Sequence, residues 1–125
     1  VAIRIVRLGS ARQPAEGLRL GTVRRPPRGV RKEDYARLDY YDLWLPELSP
    51  SVALVAGAQR GGSWKVFARR YRAEMSRPPA LHVLELLAVL SRTTDVSVGC
   101  YCEDESRCHR SLLRELLVEK GAEVR

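Results

Sequence analysis

The stretch ALHVLELLAVLSRTTDVSVGCYCEDESRCHRSLLRELLVEKG, residues 80–121, decides the fold. Residues 80–91 are apolar most of the way round and predict a buried helix. The β-branched run at 95–101 predicts a strand, and Leu112, Leu113, Leu116 and Leu117 line one side of a helix over 111–121 that Gly121 stops. Helix, strand and helix in this order favour a mainly parallel sheet with helices packed against it.

Working outward, Ile3, Val6 and Leu8 belong to a first strand, and LRLGTV at 18–23 alternates as a second. RRPPRGVRK at 24–32 contains two prolines and a glycine and predicts a loop that presents Arg24, Arg25, Arg28, Arg31 and Lys32 at a strand end. A helical turn fits Asp34–Leu38, LWLPEL reads as a short extended segment, and VALVAGAQ at 52–59 reads as a short helix. Trp64, Phe67, Ala68, Tyr71 and Met75 recur at helical spacing, with Arg69, Arg70 and Arg72 off the stripe as a solvated basic face. AEVR at the end can begin or cap a last strand. The expected fold class is α/β: a single compact three-layer domain over 1–125, with a mainly parallel sheet flanked by helices.

Composition narrows the function classes. An apolar fraction of 45% with 30% charged residues is that of a globular protein rather than a disordered one. No apolar run is long enough to span a membrane, and the first residues lack the pattern of a signal peptide, so the expected location is cytoplasmic. The charge is +7 and uneven: residues 1–77 carry 16 Lys and Arg against 7 acids, whereas residues 78–125 carry 6 against 8. Arginine dominates, which suits phosphate and carboxylate recognition, although biased composition explains it as well. A basic surface raises nonspecific nucleic-acid affinity, so a nucleic-acid-binding module is one reading.

All three cysteines fall in CYCEDESRCHRSLL, residues 100–113, at the carboxyl end of a strand and the start of a helix. Open α/β sheets bind ligands there, and a helix start accepts anions. The leading reading is a cleft for a small anionic, phosphate-bearing ligand: a metabolite, a nucleotide or a nucleic-acid end. Arg24, Arg28, Arg107, Arg110 and Ser111 bind it, and Cys108 and His109 are the candidate catalytic pair. Glu103, Asp104 and Glu105 oppose this unless they face solvent or pair with those arginines. The alternative is a thiol-redox site, in which a helix start lowers the pKa of Cys102 or Cys108 and a Cys102–Cys108 bridge forms. Cys100, Cys102, Cys108 and His109 have the right chemistry for zinc, but their spacing is tight for a tetrahedron, so no cofactor is predicted and zinc comes second. Cys100 alone reads as a small core hydrophobe. His82 reads as a core or edge histidine, and Tyr40, Tyr41 and Trp44 as either core or a stacking surface.

Four segments, in order, carry a family resemblance. RRPPRG at 24–29 resembles an RLWPRG loop, and DLWLPELSPS at 42–51 a D-x-W-x-x-x-L-x-P-S segment. WKVFARRYRAEM at 64–75 resembles a W-x-x-F-x-x-R-Y-x-x-E-L helix, and CYCEDESRCHRSLL a strand, loop and C-H-R helix start. The chain thus resembles the domain of unknown function 488 family, in particular its YeaO-like members. It departs at Pro26, where the family has tryptophan, and at Val23, where it has an acid. The resemblance implies a compact α/β domain and a single site containing Arg24, Arg28, Cys108, His109 and Arg110. It names no reaction, cofactor or oligomeric state.

Overall fold

The computed structural model describes residues 1–102 and 107–125. Four strands form one sheet: β1 (Ile3–Arg7), β2 (Leu18–Gly21), β3 (Leu43–Trp44) and β4 (Val96–Cys100). Their spatial order is β1-β4-β2-β3, and every pairing is parallel. The last strand in sequence therefore enters the middle of the sheet, where all five of its residues are buried. Its valines alternate with small residues, Ser97 and Gly99, and no charged side chain interrupts it, as a strand buried on both faces requires. In register, Val98 stands beside Ile5 on one side and Leu20 on the other. The chain end adds a partial fifth rung: Ile3 N–H donates to Glu123 O at 2.8 Å and Arg125 N–H to Ile3 O at 2.9 Å.

The helices are α1 (Val52–Gln59), α2 (Trp64–Met75), α3 (Ala80–Leu90) and α4 (His109–Glu119). Leu54, Tyr71, Met75, Leu84, Leu87, Leu113 and Leu117 from these helices form one core with Ile3, Leu20, Val96 and Val98 of the sheet. The parallel sheet with its helices is the α/β domain that the sequence led us to expect. Turn-rich segments containing short 3-10 helices at Pro14–Glu16 and Lys32–Asp34 lie between the strands. Behind β2, Arg19 is wholly buried. Its guanidinium donates to Glu16 and to the carbonyls of Ser10 and Asp39. Tyr41 lies so close to Gly21 that a Cβ there would sit 2.3 Å from its ring.

Two local expectations need correction. The helix over 80–91 is not buried all round: Leu84 and Leu87 are buried, while Leu86 and Val89 are 58% and 67% exposed. A short helix packed on one side against α4, α2 and the Pro46–Leu48 turn has only one stripe to cover. For the same reason His82 is exposed rather than part of the core.

Candidate functional site

The motif residues of the middle segments frame the site. Arg24 leaves β2 and donates to the Pro50 carbonyl at 3.0 Å, with longer bonds to Pro46 and Ser49. Trp44 Nε1 donates to Val23 O at 2.7 Å. Tyr71 hydroxyl donates to Leu48 O at 2.7 Å, and Glu74 accepts from both the amide and the hydroxyl of Ser51. Ser51 in turn caps α1 through the Leu54 amide. These contacts tie segment 44–51 to the end of β2 and to α2, and Tyr71 then rests against His109 with ring centres 5.6 Å apart.

At the carboxyl end of β4 the chain passes through Tyr101 to Cys102, and α4 begins with Cys108 as its extended N-cap. Cys100 and Cys108 are buried, Cys102 is exposed, and all three are free thiols. Their sulfur atoms lie within 4.8 Å of one another. Residues two and six positions apart in sequence converge because the strand ends at Cys100 and the helix cap brings Cys108 back to it.

His109 is buried, with one ring nitrogen toward Thr22 and the other toward Cys108. Its Nε2 lies 2.7 Å from Thr22 O, so Nε2 carries the proton and donates it to the carbonyl. Thr22 hydroxyl is fixed in turn by donating to Gly99 O at 2.9 Å. Nδ1 is left as an acceptor, 3.8 Å from Cys108 Sγ. Burial pushes the imidazole pKa down to about 4, against the opposing pull of the Thr22 carbonyl, so the ring is neutral at pH 7.

The thiols titrate as a group. S–H donation from Cys100, then from Cys108, holds Cys102 far below the usual thiol range, despite partial burial. The Arg110 charge acts in the same sense. Cys100 is pushed up strongly because it donates to Cys102 and to Cys108 and because it is buried. For Cys108 the Cys100 bond pulls down, but donation to Cys102 and burial outweigh it and its pKa is raised. Of the three thiols, the exposed Cys102 is thus the one whose thiolate form is favoured.

The structure brings together Cys100, Cys102 and Cys108, with His109 against Cys108. His109 does not join the three sulfurs as a fourth convergent ligand. Any metal held here would take a three-sulfur set, a different set from the Cys₃His tetrahedron of the sequence reading. Arg110 is buried and donates from Nη2 to the Cys102 carbonyl. Ser111 hydroxyl donates to Cys108 O at 2.9 Å within the first helical turn. Arg107 is exposed, and Arg28 is exposed in a separate cleft with Arg25, Pro26, Pro27, Tyr40 and Tyr101. Glu103, Asp104 and Glu105 lie outside the described residues.

Tyr40, Tyr41 and Trp44 do not form one stacking surface. Tyr40 meets Tyr101 edge-on, Tyr41 is buried against Tyr35, and Trp44 serves the Val23 carbonyl. Sequence reasoning missed Thr22, whose only signal is a hydroxyl placed directly after a strand glycine, and it assigned Tyr71 only to the helix core.

No helix among the described residues is long and apolar enough to cross a membrane. No curated protein and no solved structure matches the chain in the comparisons. A family model does: the one described as the active DUF488-N3 subclade, DUF488-N3a, matches residues 3–121. The match spans all four strands, all four helices and the cysteine cluster, and the chain belongs to the DUF488 family.

Proposed function

We propose that the three-cysteine cluster performs thiol–disulfide exchange, with Cys102 as the attacking thiolate and Cys108 as the resolving thiol. The observation that carries this reading is the convergence of three free sulfurs within 4.8 Å, one exposed and two buried. A thiolate attacks best when it is accessible and stabilised, and Cys102 is the member of the cluster that meets both conditions. The description of the matching subclade as active agrees with a chemical role.

Cys102 thiolate attacks one sulfur of a disulfide R–S–S–R, forms the mixed disulfide Cys102–S–S–R and releases one thiolate RS⁻. Cys108 sulfur then attacks Cys102 sulfur, the Cys102–Cys108 bond forms, and the second R–S group leaves with the Cys108 proton as RSH. The protein dithiol is oxidised and the disulfide is reduced to two thiols. Closing the bond needs the sulfurs to approach from their present separation to about 2.05 Å, a movement that the Cys102 turn must supply.

The test is the pH dependence of alkylation at each cysteine, resolved by peptide mass. Cys102 is expected to react fastest and to keep its rate well below pH 7, and Cys102→Ser is expected to remove the fast phase. Equal, slow rates at all three positions, rising only near the ordinary thiol pKa of about 8.5, would overturn the reading.

A second reading rests on the same convergence. Three convergent cysteine sulfurs suit zinc or a softer cation, held by Cys100, Cys102 and Cys108 without His109. Native mass measurement with one equivalent of zinc, on the protein and on Cys102→Ser, separates a held ion from none. The nucleic-acid reading keeps the uneven charge as its support.

A further inference from the structure

We infer that the cleft lined by Arg25, Pro26, Pro27, Arg28, Tyr40 and Tyr101 is the substrate subsite of the thiol centre, and that it takes a small disulfide bearing anionic groups. The inference rests on the thiol-exchange reading for its reaction, but its own support is separate.

Charge comes first. Arg4, Arg12, Arg19, Arg31, Arg37 and Arg72 are each paired with a carboxylate. Arg24 is tied to carbonyl groups. The Arg25 and Arg28 guanidiniums have no carboxylate partner among the described residues, and both line one cleft. Two unneutralised forks a few residues apart favour anionic groups on the occupant.

Shape comes second. The cleft has a volume of about 660 Å³, in the range of small-molecule sites. Pro26 and Pro27 stiffen one wall, and Tyr101 hydroxyl pins it by donating to Arg25 O at 3.0 Å. Tyr40 and Tyr101, ring centres 6.2 Å apart, supply flat apolar surface for a ring or a planar group.

Position comes third. Tyr101 is the residue immediately before Cys102, so the wall of the cleft and the exposed sulfur belong to neighbouring residues, with Cα atoms about 3.8 Å apart. An occupant held by Arg25 and Arg28 against Tyr101 thus lies one residue along the chain from the exposed thiol. Arg110 holds the Cys102 carbonyl. The anion recognition that the sequence assigned to the helix start thus shifts to the arginine loop: Arg28 stays in it, Arg25 joins it, and Arg24 braces it.

The experiment compares reaction rates of two aromatic disulfides, dianionic dithiobis(nitrobenzoate) and neutral dithiodipyridine. The protein, the double variant Arg25→Gln/Arg28→Gln and the remote control Arg69→Gln/Arg70→Gln are each tested. The cleft variant is expected to lose roughly tenfold in rate with the dianion and less than about twofold with the neutral reagent. The control changes net charge equally and is expected to leave both rates near the parent values. A cleft variant that matches the control overturns the subsite. Failure of the thiol reading looks different: neither reagent reacts preferentially at Cys102. The subsite is then judged by binding alone, with terephthalate as probe and the Tyr40 and Tyr101 ring signals in NMR as readout. Saturable shifts that disappear in the cleft variant support it, and absent shifts overturn it.

Discussion

His109 Nε2 donates to the Thr22 carbonyl across 2.7 Å, which joins the first turn of α4 to the end of β2 and turns Nδ1 toward Cys108. This bond sets the tautomer. Burial of the ring, which outweighs the bond, makes the protein acid-sensitive, because the buried ring stays neutral down to about pH 4 whereas an unfolded histidine takes a proton near 6.5. Between those two values the unfolded chain binds more protons than the native one. Stability is therefore full above about pH 6.5 and is lost as the pH falls toward 4, by an order of about 3 kcal/mol. Urea unfolding at a series of pH values should show the slope, and His109→Gln should flatten it.

Arg19 and Glu16 form an ion pair that is almost wholly buried, 2.6 Å from Nη2 to Oε1. Breaking one partner strands the other charge. Glu16→Ala is expected to cost about 3–5 kcal/mol in urea unfolding, and added salt should recover little of it because the pair is shielded from solvent.

Tyr71 hydroxyl is the donor to the buried Leu48 carbonyl, and its ring also supports His109. Tyr71→Phe keeps the packing and leaves that carbonyl without its donor, which should destabilise the fold by about 1–3 kcal/mol. Because the imidazole is held chiefly by Thr22, the same variant should keep most of the rapid alkylation at Cys102. A stability loss together with loss of the fast phase would show that Tyr71 positions the site more strongly than its contacts suggest.

Ser51 caps α1 and is held by both oxygens of Glu74. Ser51→Ala should cost about 1 kcal/mol. Glu74→Gln should cost less than Ser51→Ala, since an amide oxygen still accepts the Ser51 amide hydrogen. The comparison of the two denaturation midpoints checks the order.

The sequence carried the sheet well where hydrophobic pattern and chain position agreed. A β-branched run between two leucine-rich helices is legible as a buried parallel strand, and Val96 to Cys100 is one. The site was legible as a location but not as an arrangement. Arg24 and Arg28 look alike in the loop sequence, yet one is drawn in by the carbonyls of Pro46, Ser49 and Pro50 and the other is left in the open. Only the fold of segment 46–50 distinguishes them. Cys100, Cys102 and Cys108 have a spacing that is poor for metal in an extended chain, and they converge because a strand end and a helix cap meet there. The exposure of Leu86 and Val89 was hidden for the opposite reason: local apolar pattern does not say how many neighbours a helix will have.

The most direct test of the central claim is to oxidise the protein with one equivalent of a small disulfide and map the products by peptide mass. Thiol exchange of the kind described predicts a transient mixed disulfide on Cys102, followed by a Cys102–Cys108 bond, with Cys108→Ser leaving the mixed disulfide unresolved. In the parent protein, a stable adduct on Cys102 that never resolves, or a first adduct on Cys108, would contradict it.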